Sequence, residues 1–289
     1  MLVERLYLCE TGLISRRRRC FNGIMAALVA DGLILRKKKI VLNFTGEIVY
    51  KFTIFFLNLL GDLMEHVLDN PAWNALISGN KHLSEGNERV KYFSEEVSPF
   101  VGMPGYSPYQ LNLLYNIISS QRVLAIIASK EIVFPDQWVV IEHMKVLQMI
   151  YNHPTPHGTA PTGLIPLQKQ HVSEMIALTK MTHPGPFLKR TIEFGNYNGI
   201  LINNELIAMA GQRLHANQYM EISAVCTHPD HPGKGYASRL LISQIHRIIS
   251  EQGIPFLHVK DDNTKAIHLY QKLGFATRKQ MDIYIIKKN

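Results

Sequence analysis

The chain has 289 residues, 46% of them apolar and 19% charged, which excludes wholesale disorder and exceeds what one small core needs. A formal net charge of +8 would suit a nucleic-acid or anionic-membrane partner, but residues 1–63 alone hold 10 of the 31 basic and 5 of the 23 acidic residues, so the rest is close to balance and nucleic acid is not the expected partner. Three cysteines, two of them (Cys9 and Cys20) in that first segment, are too few for a disulfide framework and indicate a reducing, cytoplasmic compartment.

Residues 1–63 alternate basic clusters, Arg16–Arg19 and Arg36–Lys39, with short apolar runs. Arg16–Arg19 follow the first apolar stretch, the reverse of a secretory signal. The most apolar run, Phe52–Leu60, is bounded by Lys51 and Asp62 and falls short of the roughly 20 residues a membrane helix requires, so no membrane span is expected. The texture changes at Met64. Residues 1–63 are therefore expected to be a poorly ordered or appended basic leader, with the functional protein beginning near Met64.

Asp69-Asn70-Pro71 is a turn signal ahead of a short helix. Short strands follow at Val90–Phe93 and Val97–Met103, then a helix with Ser107 as cap and Pro108 at its first position. Val123–Ala128 reads as a buried strand and Trp138–Tyr151 as a long strand or strand pair. Residues 64–152 thus form a small α/β half-domain without a catalytic motif, and residues 153–161, rich in Pro, Gly and Thr, form a linker.

From residue 162 onward the pattern predicts a strand at Leu164–Leu167 and helices at His171–Lys180 and Phe187–Phe194. A hairpin turns at Asn203-Asn204, a pair that tolerates positive φ, and Gly211 marks a bulge. Next come a strand at Tyr219–Thr227, a glycine turn, and a helix with Leu241, Ile245 and Ile248 on one face, ended by Gly253. A strand at Pro255–Val259, a helix capped by Asn263 and stopped by Gly274, and a closing strand at Asp282–Lys287 complete the chain.

The stretch "VCTHPDHPGKGYASRLL" (Val225–Leu241) places Gly-Lys-Gly where a helix begins. Backbone N–H groups without a neighbouring Cβ suit an anion there; a plain packing turn is the competing reading. The element order of residues 162–289, together with "VCTHPDHPGKGYA" and "NTKAIHLYQKLGF" about 30 residues further on, resembles the GNAT superfamily of acyl-CoA-dependent N-acyltransferases. "PGPF" (Pro184–Phe187) and "EISAVCTHP" (Glu221–Pro229) are similar to the branch related to glycine N-acyltransferases.

The resemblance implies an α/β (α+β) GNAT fold, a mixed central sheet flanked by helices and preceded by the smaller half-domain. It implies acetyl-CoA as cosubstrate, and transfer of an acetyl or short acyl group to a primary amine, on a small molecule or peptide, by direct attack in a ternary complex. The family motif Gln/Arg-x-x-Gly-x-Gly/Ala falls on Pro232, Gly233, Lys234, Gly235, Tyr236 and Ala237. Pro232 departs from it by offering neither a cation nor an N–H, a loss that Lys234 is placed to offset. Val225 and Thr227 are implied to offer backbone groups to the pantetheine arm, and Asn263 to contact the cofactor as well as cap its helix.

Tyr270 is implied as the general acid for the leaving thiolate, against a plain core role. Glu221 is implied as the base, which needs a raised pKa; the competing reading is a strand glutamate that faces solvent or pairs with Arg213 on the neighbouring strand, and His258 is the alternative base. Cys226 is expected to pack, and His228 and His231 lack further ligands at metal spacing, so no metal is expected. The alternative to an enzyme is a GNAT-fold module that binds acyl-CoA or scaffolds a partner with weak catalysis or none. Homo-oligomerisation is left open.

Overall fold

The structure, a computed structural model, describes residues 66–156 and 158–289; the expectations for residues 1–63 lie outside the described residues. Among the described residues there are five α-helices: α1 (Pro71–Ile77), α2 (Pro108–Ile117), α3 (Val172–Thr182), α4 (Tyr236–Ser250) and α5 (Thr264–Lys272). Strands β1 (Ser84–Gly86), β2 (Lys91–Phe93) and β3 (Val101–Gly102) make a small antiparallel sheet. The large sheet is built from β4 (Leu124–Ala128), β5 (Trp138–Tyr151), β6 (Ile165–Pro166), β7 (Asn198–Ile202), β8 (Glu205–Ala216), β9 (Tyr219–Thr227), β10 (Ile254–Lys260) and β11 (Phe275–Lys288). Its order is β4-β11-β5-β10-β9-β8-β7-β6. Every neighbouring pair in it is antiparallel except β9 and β10, which are joined by the α4 crossover that a parallel pair requires. This is a mixed α/β fold with a large, mostly antiparallel sheet flanked by helices.

Strand periodicity assigns the two faces. On one face Phe256, Met281, Val146 and Met209 pack with Leu68, Leu76, Met175 and Leu178 from the preceding turns and from α1 and α3. On the other, Met149, Ile222, Leu257 and Val259 meet Leu241, Ile245 and Ile248 of α4 and Ile267 and Tyr270 of α5. Further along that face, Leu111 and Leu114 of α2 cover Leu124, Ile126 and Ile286.

The half-domain and the segment after the linker share this sheet. β5 lies between β10 and β11, pairing Phe256–Lys260 on one edge and Phe275–Lys288 on the other. β4 occupies the outer edge of β11. The closing strand is thus an inner strand, 14 residues long rather than the six of Asp282–Lys287.

Local chemistry is visible at several ends. Ser107 and Gln110 form a reciprocal capping box at α2, and Asn203 and Asn204 adopt φ of 52° and 64° in the hairpin turn. One local expectation is corrected. Phe187–Phe194 is not an α-helix; only Thr191–Phe194 winds, as a 3-10 turn. Thr191 Oγ1 accepts from Leu188 N and donates to Val97 O, so side-chain and tertiary bonds replace a helical turn. Beyond α4 the left-handed residue is Gln252, at φ 60°, and not Gly253. A Cβ on Gly253 would stand 2.9 Å from Ile248 Cγ2 and 3.0 Å from the Met220 sulfur, so close approach demands that glycine.

Gly211 does sit at a register shift between β8 and β9, and a Cβ there would fall inside the Tyr197 ring. Gly211→Ala is expected to lower unfolding free energy by about 1–3 kcal/mol, the usual cost of overpacking a core. An unchanged urea midpoint would show that the ring yields freely.

Candidate functional site

The parallel ladder between β9 and β10 is short: Tyr219, Met220 and Glu221 pair with Ile254, Pro255 and Phe256. Beyond it β10 stays with β5, while β9 follows β8, and a fork opens between the two strands. Ala224 sits in the left-handed region at φ 53°, where the β8–β9 register slips between Gly211↔Ser223 and Met209↔Cys226. Such a bulge bends its strand. His228 N donates to Ile207 O at 2.7 Å; the two-residue alternation then turns the backbone groups of Val225 and Thr227 away from β8, toward the open side.

At the mouth of the fork the chain enters α4. Gly233 and Gly235 both have φ 74°, and a Cβ on either would meet nothing within 4 Å. Their role is conformational, since left-handed backbone is costly for other residues. Gly235 is the N-cap, and no side chain caps the helix. The first N–H groups, from Tyr236 and Ala237 onward, are left to another acceptor, with the positive end of the helix dipole behind them. Lys234 reaches from the loop to within 3.2 Å of His231 Nδ1.

Asn263 caps α5, accepting from Ala266 N at 3.1 Å. Tyr270 is 9% exposed and shares a cluster with Leu241, Ile245 and Phe275, with Val225 packed against it. Burial pushes its pKa up to about 12, so it keeps its proton at neutral pH. The structure therefore gives Tyr270 a core environment and a retained proton together.

The opposite face of the same strands carries a chain of polar side chains. Glu221 is fully buried and accepts from Arg213 Nε at 2.8 Å and Nη2 at 2.6 Å, from Leu214 N at 3.3 Å, and from His258 Nδ1 at 2.7 Å. Burial by itself would raise its pKa; the Arg213 charge and the hydrogen bonds of Arg213 and His258 outweigh it and hold the carboxyl well below the usual range. A general base needs the opposite shift, and both carboxylate oxygens are already occupied. Glu221, expected as the base, stands in this structure in its competing role, the buried counter-ion of Arg213.

His258, the alternative base, is committed too, with Nε2 lying 3.0 Å from Gln148 Nε2. Gln148 also donates to Leu68 O at 2.9 Å and accepts from Arg278 Nε at 2.5 Å. Arg278 and Lys279 both reach Asp69 Oδ1. Sequence reasoning missed Gln148, Arg278 and Asp69. The one available signal was a glutamine inside the apolar run "VLQMIY" (Val146–Tyr151).

Burial pushes the Cys226 thiol up to about 12, which keeps it from acting as a nucleophile. A hollow of about 450 Å³ lined by His153, Ile249, Gln252 and Pro255 opens where α4 ends and β10 begins. That is the opposite end of both elements from the fork, so it is not part of this site. Among the described residues no group of three or more His, Cys, Asp or Glu is placed to hold a metal ion, and no helix is long and apolar enough to cross a membrane.

A family model described as FR47-like protein matches residues 197–283, a span that contains the fork, the glycine turn and Tyr270. No curated protein matches the chain. Among solved structures, the chain is similar to a Novosphingobium aromaticivorans protein described as an acetyltransferase from the GNAT family. The two are 30% identical over 78% of this chain and 100% of that one, with a TM-score of 0.72. A Drosophila protein at 12% identity, covering 68% of this chain and 73% of that one with a TM-score of 0.50, shares the fold alone.

Glu221→Gln leaves the Arg213 guanidinium buried without its counter-charge and is expected to cost about 3–5 kcal/mol at neutral pH. Because the folded pKa of Glu221 lies below the ordinary value of 4.5, its stabilisation is complete above that value and declines as pH falls below it toward the depressed folded pKa. Urea midpoints of the two proteins should therefore converge in acid, and a gap that is constant with pH would contradict the ion pair.

Proposed function

The chain belongs to the GNAT family, and from that premise we propose that it is an acyl-CoA-dependent N-acyltransferase moving an acetyl or short acyl group from coenzyme A to a primary amine. The observation that carries this reading is the fork between β9 and β10 opening beside the uncapped start of α4. A strand edge and a helix N-terminus at one place supply what a pantetheine arm and a diphosphate each need.

In this reading the N–H groups of Gly233, Lys234, Gly235, Tyr236 and Ala237 receive the diphosphate, and the Lys234 ammonium adds the charge that Pro232 does not supply. Backbone groups of Val225 and Thr227 pair with the amides of the arm. The Asn263 Nδ2, which has no protein partner among the described residues, is a further donor to the cofactor. The acceptor nitrogen attacks the thioester carbonyl, a C–N bond forms, and the C–S bond breaks. Tyr270 gives its proton to the departing sulfur and recovers one through solvent as the acylated nitrogen sheds its own, so protons balance; its hydroxyl makes no protein hydrogen bond among the described residues that would compete.

The acceptor side is assigned to His183–Phe187 and the elements of residues 64–152 packed against it. Gly185 faces Arg213 Nη1, since a Cβ there would stand 3.9 Å away. With Glu221 and His258 both engaged, the amine must reach the thioester already deprotonated, its proton lost to solvent.

The text of Pro184–Phe187 and Glu221–Pro229 supports a place in the glycine N-acyltransferase-like branch, and the cysteine usage supports a cytoplasmic setting. A second reading, a module that binds acyl-CoA without turnover, is favoured by one observation, the proline at position 232. Turnover of acetyl-CoA with a panel of amines separates the two.

Gly235→Glu is expected to abolish acetyl-CoA binding by calorimetry, because it strains the turn and sets a negative charge where phosphate belongs; unaltered affinity would remove the assignment. Tyr270→Phe should lower kcat by about a hundredfold or more with little change in acetyl-CoA affinity, whereas equal losses in both would make Tyr270 a core residue only. Without a protein base, kcat/KM should rise with pH to a plateau set by the pKa of each acceptor amine. One common inflection for amines of different basicity would reveal a titrating group on the protein.

A further inference from the structure

Five adjacent strands each contribute one side chain to a continuous polar line: Arg278 from β11, Gln148 from β5, His258 from β10, Glu221 from β9 and Arg213 from β8. Asp69, in the turn Val67–Asp69, holds the outer end through Arg278 Nη2 and Lys279 Nζ. Gln148 and Glu221 are fully buried, and the His258 side chain is 3% exposed. Glu221 lies in the last rung of the β9–β10 ladder, so the line passes through the root of the fork.

The chemistry of its members fixes every proton in the middle of this line. Arg278 Nε can only donate, so the Gln148 atom 2.5 Å away is the amide oxygen. Leu68 O can only accept, so the atom 2.9 Å from it is the amide nitrogen. Two partners of opposite and invariable character therefore set the orientation of the amide independently. Its second N–H points at His258 Nε2, 3.0 Å away, and that nitrogen must be bare to accept it. The ring proton then sits on Nδ1, where it donates to Glu221 Oε1 at 2.7 Å.

We infer that Gln148 is a positioning residue that fixes the ring tautomer of His258 and, through the Nδ1–H bond to Glu221, holds the Glu221–Arg213 pair in place at the root of the fork. Arg278 and Asp69 hold Gln148 in turn. The residue touches neither the fork nor the acceptor side; it acts through His258. Flipping the amide would set its NH₂ against the donors of Arg278 and its oxygen against Leu68 O, so the line has one self-consistent arrangement. The kinetic consequence rests on the acyltransferase reading, whereas the ring tautomer does not.

The test uses the full chain with ¹⁵N-labelled imidazole rings, the His258 resonances being assigned by their loss in His258→Asn. At neutral pH wild-type His258 is expected to carry its proton on Nδ1 with Nε2 bare. In Gln148→Glu a carboxylate faces Nε2 in place of the amide, and the ring is expected to be protonated at both nitrogens. Acetyl transfer by that variant should lose about tenfold or more in kcat, as small misplacements near a reacting centre do, while acetyl-CoA affinity stays within about twofold of wild type.

A wild-type ring protonated on Nε2 overturns the inference, as does a Gln148→Glu ring identical to wild type. Equal losses of kcat and of acetyl-CoA affinity would reduce Gln148 to a packing residue. Should Gln148→Glu not fold, the wild-type spectrum decides the tautomer alone. A wild-type protein with the expected spectrum but no acetyl-CoA binding would instead defeat the acyltransferase reading and leave the tautomer standing.

Discussion

The parallel ladder joining β9 to β10 ends after Glu221 and Phe256, and the arrangement of the rest follows from that early end. Sheet strands ordinarily satisfy their backbone groups with neighbours on both sides. Here β10 turns one edge to β5 for its remaining length, and β9 bends at Ala224 to remain with β8. The inner edges are left open where α4 begins without a side-chain cap. A strand edge and a helix start, each with unsatisfied donors, are thus brought together by a single interruption. Neither feature alone would define a site; their coincidence gives an elongated ligand with amides in the middle and phosphates at one end something to follow.

The two faces of the forked strands do different work. On the face toward α4 and α5 the side chains are apolar, and Tyr270 lies among them, its pKa pushed up by burial. On the other, charged and polar groups are buried in a line from Asp69 to Arg213. Such burial is costly unless every donor and acceptor is matched, and here Glu221 alone accepts four hydrogen bonds. The matching explains why the carboxyl stays ionised in a closed interior. The line ties the segment around Asp69 to strands far along the chain, so the part before the linker is a buttress of the site as well as a neighbour.

Much of the candidate site was legible in the residues themselves. Gly233 and Gly235 announce a turn at a helix start ahead of the periodic run of Leu241, Ile245 and Ile248, and the helix begins at Tyr236. Asn263 announces a cap and is one. Glu221 was the opposite case. The family resemblance implied a base there, and only the neighbouring strands decide for the ion pair with Arg213 and add His258 to the carboxylate. Gln148 carries no local signal beyond a polar side chain in an apolar strand, because its partners lie 80, 110 and 130 positions away in sequence. Phe187–Phe194 misled for a related reason, since the bond from Thr191 to Val97 O displaces a turn that local propensity alone would allow.

The sequence by itself determined most of the helices and strands, the left-handed hairpin turn at Asn203-Asn204, and that a helix start with bare amides follows a buried strand. These depend on interactions within a few residues, such as steric limits on φ, caps, and apolar periods of two or 3.6 residues. Only the tertiary structure decided that β5 is inserted between β10 and β11, that β9 and β10 part after three rungs, and that the carboxylate at their parting is a counter-ion. Strand pairing and the field around a buried charge are set by groups distant along the chain, and a linear pattern carries no measure of that distance.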